Sequence, residues 1–112
     1  MPAIESKHDV FKAIADPTRR RMLMLLTENE MSITAITERF PITRTAVNKH
    51  LMILTDAGLV ASRKTGRETR YKLQPEPLKQ VQDWISIFEK YWDEKLEALR
   101  QFVESDQIDP KK

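Results

Sequence analysis

Apolar residues recur three and four positions apart along most of the chain, which is the spacing of helices that bury one face. Segments rich in proline, glycine and helix-capping residues interrupt this pattern and divide it into separate elements. The pattern predicts helices in residues 7–15, 17–27, 32–40 and 43–56, two strands within residues 59–73, and a long last helix in residues 76–104. The expected fold is therefore mainly α with a small β-hairpin, in the order α-α-α-α-β-β-α.

The ends of these helices coincide with residues that start or stop helices. Asp16 can cap the second helix, and Pro17 is tolerated in its first turn. Ser32 is the expected N-cap of the third helix, and Gly58 follows the fourth helix as a stop signal. Two helices joined by a short turn and followed by a hairpin indicate a winged helix-turn-helix. We expect a single domain over residues 1–112, with the winged helix in residues 7–75.

The fourth helix combines a narrow apolar stripe with a polar side. Val47, Leu51 and Leu54 fall within one arc of the helix, with His50 at its edge. The other side begins with short hydrogen-bond donors and cations, and its candidate DNA contacts are Arg44, Thr45, Asn48 and Lys49. A solvated face explains this composition equally well when the helix is taken alone. The short helix before it and the basic segment after it favour a helix that enters a major groove.

Positive charge is concentrated in the middle of the sequence, although the formal net charge is only +2. Residues 43–72 hold seven basic and two acidic residues, whereas residues 76–112 hold nine acidic and six basic ones. Two β-prone runs meet at Gly66, and the candidate DNA contacts on this hairpin are Arg63, Lys64, Arg67 and Arg70. A charged edge that prevents aggregation is the alternative, but so many bases favour contact with phosphate. Double-stranded DNA is the expected partner.

The last helix carries an apolar stripe wider than a small domain can bury. Both tryptophans of the chain lie in it, and aromatic residues are enriched in the cores of protein interfaces. Intrachain core packing is the alternative for part of this stripe. We predict a homodimer through the first and last helices, with residues 76–104 as the dimerisation helix. The expected interface residues are Val10, Phe11, Trp84, Phe88, Trp92, Leu96 and Leu99.

Three segments together resemble the ArsR-type winged-helix repressors of bacteria and archaea. They are FKAIADPTRRRMLMLL (11–26), FPITRTAVNKHLMILTDAGLV (40–60) and GRETRYKL (66–73). The resemblance implies a homodimer that binds an inverted-repeat operator and represses its own operon. It also implies that Arg44, Thr45, Asn48 and Lys49 read DNA and that Arg67 is the wing tip.

The chain departs from the metal-sensing members of that family. It has no cysteine, and no histidine follows His50. It is more similar to a metal-independent branch, some of whose members are released from DNA by a membrane-bound protein partner. We therefore expect no metal site and no cofactor, and the resemblance to this branch implies a protein partner that relieves repression.

Other classes of function have little support in the sequence. The two histidines lack an obvious nucleophile, so an enzyme is not expected. No apolar run is long enough to insert into a membrane, and the first residues do not resemble a secretory signal, so we expect a cytoplasmic protein. The main alternative is a winged-helix protein–protein interaction module. The run Arg19-Arg20-Arg21 is expected to pair with acids of the last helix or to contact phosphate.

Overall fold

The computed structural model describes residues 9–108, with side chains as far as residue 105. Its elements are α1 (Val10–Ala13), α2 (Pro17–Leu26), β1 (Met31–Ser32), α3 (Ile33–Thr37), α4 (Arg44–Asp56), β2 (Val60–Thr65), β3 (Glu68–Leu73) and α5 (Leu78–Ile108). The mainly α fold with a β-hairpin is confirmed. The predicted start of the first helix at residues 7 and 8 lies outside the described residues.

Side-chain caps explain where the helices begin. Asp16 caps α2, because its carboxylate accepts a hydrogen bond from Arg19 N at 3.0 Å. Ser32 caps α3 in the same way through Ala35 N at 3.1 Å. Both caps agree with the sequence prediction, and each satisfies a backbone donor that the helix itself leaves unpaired. Helix α3 ends at Thr37, three residues before the expected end at residue 40.

The sheet has three antiparallel strands in the order β1-β3-β2, one more than the hairpin that was predicted. The additional strand is β1, in which Met31 pairs with Tyr71 and Ser32 pairs with Arg70. Two residues are too few to show the alternation by which a strand is recognised in a sequence. This short strand joins the hairpin to the beginning of α3.

The hairpin turn is built on the glycine that marked it in the sequence. Gly66 has a φ of 63°, and Arg67 after it has a negative φ. A positive angle at the first of two loop residues matches the sign pattern of a type II′ turn, whose twist suits antiparallel strands. Gly58 has a φ of 79° and ends α4, as expected for a glycine at this position.

The core lies in the first of two compact units, which extends to Val81. Val47, Leu51 and Leu54 of α4 are completely buried, which confirms the predicted stripe. They pack with side chains from α1, α2, α3, the sheet and the residue before β2, namely Val10, Ala13, Met22, Leu23, Leu26, Ile33, Ile36, Val60, Tyr71 and Leu59. This core fixes the rotation of α4 and therefore which of its residues are exposed.

The second unit begins at Gln82 and consists of the remainder of α5. Nine of its large apolar side chains are exposed within the chain, with values between 38% and 70%. We refer to five of them as the apolar stripe: Trp84, Phe88, Trp92, Leu96 and Leu99.

Candidate functional site

Helices α3 and α4 form a helix-turn-helix whose second helix presents the predicted polar surface. Thr43 caps α4, and its side-chain oxygen accepts a hydrogen bond from Ala46 N at 3.1 Å. The buried stripe on the opposite side leaves the polar residues in solvent. The four predicted DNA-reading residues are all exposed here, namely Arg44, Thr45, Asn48 and Lys49.

Two of these four side chains make weak contacts with neighbours. Arg44 Nη1 donates to Thr34 Oγ1 of α3 at 3.3 Å. Asn48 Nδ2 donates to Met52 Sδ at 3.9 Å, within α4. Both contacts are long and involve weak or neutral acceptors, so base or phosphate oxygens can replace them at little cost.

One face of the hairpin lies against the polar side of α4. Directly opposed residues of an antiparallel pair share a face, and Ser62 is opposed by Tyr71 while Lys64 is opposed by Thr69. Two open grooves of about 640 Å³ and 420 Å³ run between this face and the helices. The larger is lined by Lys49, Met52, Ile53, Thr55, Asp56, Ser62 and Tyr71. The smaller is lined by Ile33, Arg44, Thr45, Asn48, Thr69 and Tyr71.

Tyr71 belongs to both grooves, and the sequence analysis did not single it out. Burial raises the pKa of its phenol, and the nearby Arg44 charge opposes that shift. The hydroxyl therefore stays neutral at physiological pH and can donate or accept a hydrogen bond. The sequence marks Tyr71 only as a position of β3 whose side chain faces inward when inward and outward side chains alternate along the strand.

The opposite face of the hairpin holds two of the predicted DNA contacts in ion pairs. Arg63 and Arg70 lie directly opposite each other, and Glu30 approaches both. Glu30 Oε2 is 2.7 Å from Arg63 Nε and 3.6 Å from Arg70 Nε, and Arg70 Nη1 also donates to Glu68 Oε1 at 2.9 Å. The other two predicted hairpin contacts, Lys64 and Arg67, are exposed, and Arg67 lies in the turn.

Two of the consecutive arginines at the start of α2, Arg19 and Arg20, donate hydrogen bonds to backbone carbonyls at the end of α1. Arg19 Nε donates to Ala13 O at 2.7 Å, and Arg20 Nη1 donates to Ile14 O at 2.8 Å. These guanidinium groups thus satisfy carbonyl groups that a short helix leaves unpaired. These backbone contacts were not among the roles expected from the sequence, which were pairing with acids of the last helix or contact with phosphate.

Arg19 also links α2 to α4 through His50, which is half-buried at the edge of the buried stripe of α4. Arg19 Nη1 lies 3.2 Å from His50 Nδ1. Arginine can only donate, so Nδ1 is the acceptor and the neutral ring carries its proton on Nε2. Burial works to raise the pKa of nearby Asp16, but the hydrogen bond from Arg19 N and the Arg19 charge outweigh it and hold that pKa below its usual value.

The residues predicted for the dimer interface differ in how much surface they offer. Val10 is only 2% exposed because it packs in the chain's own core, so it presents almost no surface to a partner. Phe11 beside it is 38% exposed. Within the apolar stripe, the rings of Trp84 and Phe88 are 5.2 Å apart and those of Phe88 and Trp92 are 6.3 Å apart. The three aromatic rings thus form one continuous surface.

Within the described residues, 9–108, there is neither a cluster that could bind a metal nor a helix that could span a membrane. These residues contain no group of three histidine, aspartate or glutamate side chains that could hold a metal ion. None of the helices that they form is both long and apolar enough to cross a membrane.

A capped helix with an exposed polar side, next to a basic hairpin, defines a winged helix-turn-helix DNA-binding protein. Residues 14–63 match the family model of a helix-turn-helix domain. Transcriptional repressor SdpR of Bacillus subtilis is 36% identical over 81 residues, covering 72% of this chain and 90% of that protein. The HTH-type transcriptional regulator YuzN of the same species is 41% identical over 88 residues, covering 71% and 96%.

Solved structures agree with these relatives. The ArsR-like transcriptional regulator from Rhodococcus sp. RHA1 matches 86% of this chain and 88% of its own, at 36% identity and a TM-score of 0.67. The chain belongs to the ArsR family of winged helix-turn-helix transcriptional regulators. It is a DNA-binding transcriptional repressor rather than an enzyme, which confirms the function predicted from the sequence.

Proposed function

We propose that two copies of this chain bind an inverted-repeat operator, each inserting the first half of α4 into a major groove. The observation that carries the proposal is the exposed start of α4, which presents Arg44, Thr45, Asn48 and Lys49 beside the hairpin. Arginine and asparagine can each form paired hydrogen bonds with a base edge, and lysine and threonine suit bases or phosphates. Twofold symmetry requires the two helices to be about 34 Å apart, one turn of DNA.

In this proposal the hairpin supplies backbone contacts. Lys64 and Arg67 are exposed, and Lys64 shares the face that lines the grooves beside α4. Cations at these positions favour phosphate or the minor groove, and such contacts fix the register of a protein on DNA without reading its sequence. Binding is therefore expected to weaken steeply as salt is added.

The proposed dimer is supported by the apolar stripe of α5. Its side chains are 38–62% exposed within the chain, and their rings form a continuous surface. Soluble monomers rarely leave such a surface in water, so a second copy related by twofold symmetry is the expected cover. Phe11 of α1 adds to the available apolar surface.

We also propose that the chain acts in the cytoplasm and is released from DNA by a protein partner rather than by a metal ion. The absence of cysteine from the whole sequence supports the part of this proposal that concerns metal, because thiolates are the usual ligands for soft metals. One of its two histidines, His50, already contacts Arg19. Zinc or arsenite is therefore expected to leave operator binding unchanged, and release of DNA by either would refute this part of the proposal.

The test of DNA reading is fluorescence anisotropy on the DNA upstream of the chain's own gene. Asn48→Ala should cost about 1–3 kcal/mol, or roughly a 5- to 150-fold loss of affinity, for the operator. Its binding to unrelated DNA should change little. If Lys49 contacts phosphate, Lys49→Ala should weaken binding to both DNAs and lower the salt slope by about 0.9 per protomer.

Lys90→Ala is the matched control for Lys49→Ala, because it removes the same charge from an exposed position on α5. It should bind like the wild type. If the wild type binds no DNA, or binds with no dependence on salt, the chain is instead a protein–protein interaction module. If Asn48→Ala and Lys49→Ala both bind like the wild type, the assignment of α4 as the reading helix fails.

A further inference from the structure

Two arginines of the hairpin face one another, and carboxylates compensate their charges: Glu68 pairs with Arg70 alone, and one further carboxylate contacts both. Arg63 and Arg70 are directly opposed in the β2–β3 pair, on the face that carries neither Ser62 nor Tyr71. Like charges in this position repel each other and destabilise the pairing. An acidic group from elsewhere in the chain is therefore needed to hold both side chains in place.

Glu30 is that group. Its Oε2 lies 2.7 Å from Arg63 Nε, and its Oε1 accepts a hydrogen bond from Arg63 Nη2 at 3.3 Å. Oε2 is also 3.6 Å from Arg70 Nε, and Arg70 Nη2 donates to the backbone oxygen of Glu30 at 3.3 Å. Oε2 is buried and not aligned for a hydrogen bond, so the two guanidinium charges compensate it instead.

Because of its position in the chain, Glu30 links the hairpin to the helix-turn-helix. The residue directly precedes β1, which pairs with β3 and leads into α3 of the helix-turn-helix. The Glu30 side chain is 23% exposed and that of Arg70 is 32% exposed, so this pair is partly shielded from salt, whereas the Arg63 side chain is 61% exposed. An ion pair shielded in this way persists at salt concentrations that screen an exposed pair.

We propose that Glu30 is a positioning residue that keeps Arg63 and Arg70 engaged within the protein and away from DNA phosphate. The hairpin then contacts the DNA backbone through exposed cations, such as Lys64 and Arg67, that have no ion pair of this kind among the described residues. Because phosphate contacts are independent of sequence, withholding two cations limits binding to unrelated DNA and raises the preference for the operator. This inference rests on the proposed DNA-binding function.

The proposal is tested with Glu30→Gln, which removes the charge and keeps the shape of the side chain. The probe is a duplex of unrelated sequence, titrated at several salt concentrations, with the operator duplex measured alongside. Each released arginine that reaches a phosphate steepens the salt slope by about 0.9 per protomer, so a fourfold rise in salt lowers affinity about 3.5-fold more. Glu30→Gln should therefore bind unrelated DNA more tightly at low salt. A variant that merely disturbed the fold would bind more weakly.

The matched control is Glu28→Gln, which changes the net charge equally at an exposed position two residues earlier. It should leave the slope close to that of the wild type. In the wild-type background, Arg63→Ala and Arg70→Ala should also leave the slope unchanged, whereas adding both to Glu30→Gln should return it to the wild-type value. These arginine variants also test the proposal if Glu30→Gln does not fold.

Two results would overturn the inference while leaving DNA binding intact. One is an equal salt slope for Glu30→Gln and Glu28→Gln. The other is a salt slope flattened by about 0.9 per protomer in the single variant Arg63→Ala. Failure of the wild type to bind either duplex would overturn the inference together with the proposed function.

Discussion

Replacing Trp92 with alanine should weaken the proposed dimer by several kcal/mol. Trp92 lies in the middle of the apolar stripe and is 46% exposed within the chain. A buried tryptophan covers up to about 250 Å², so roughly 115 Å² is left for a partner, equivalent to about 3 kcal/mol at about 25 cal/mol per Å². A twofold dimer contains this residue twice, which gives an upper limit of about 6 kcal/mol and about four orders of magnitude in Kd.

The assay is sedimentation equilibrium over a range of concentrations, accompanied by circular dichroism and thermal unfolding. Lys90→Ala is the matched control, because it lies two residues earlier and about 160° around the helix from Trp92. It should dimerise like the wild type. The reasoning is refuted if Trp92→Ala remains folded and has a Kd within about threefold of the wild-type value, or if the wild type is itself monomeric at micromolar concentration.

Other predictions concern stability. Leu51→Ala should lower the free energy of unfolding by about 2–5 kcal/mol in a urea titration, because Leu51 is completely buried, and a loss below about 1 kcal/mol would contradict its central place in the core. Gly66→Val should cost about 1–2 kcal/mol, because a β-branched residue is strained at a φ of 63°, and Ser62→Val on the neighbouring strand serves as its control. The Asp16 carboxylate has a lower pKa folded than unfolded, so its stabilisation is complete above the usual pKa of 3.8 and is lost as pH falls through the folded value. The stability difference between wild type and Asp16→Asn should therefore shrink as the pH is lowered below 3.8, and a constant difference would show that the charge has no role.

The helices could be predicted from the sequence wherever a local pattern determines them. The stripe of Val47, Leu51 and Leu54 repeats at helical spacing, and all three residues are completely buried. Asp16 and Ser32 cap helices by contacts only three residues away, which makes them visible as local signals. The same helical spacing predicted the exposed polar side of α4, because rotation of the helix is fixed once its buried side is known.

Contacts between distant segments could not be predicted in this way. Glu30 is 33 residues from Arg63 and 40 residues from Arg70, and nothing in the spacing of the sequence brings them together. The two residues of β1 form a strand only because β3 offers them partners. The role of Arg19 depends likewise on the carbonyl of Ala13, whose position follows from the packing of α1 against α2.

Counting basic residues therefore overestimates the surface available to DNA. The segment of residues 43–72 holds seven bases, yet Arg63 and Arg70 are already paired with carboxylates. A cation that must leave an internal partner before it binds phosphate gains only the difference between the two interactions. An exposed cation such as Lys64 or Arg67 exchanges only contacts with water for a phosphate contact, and the accompanying release of counterions is favourable. If Glu30 has the proposed role, the placement of acids decides which bases of this winged helix bind DNA as much as the placement of its arginines and lysines does.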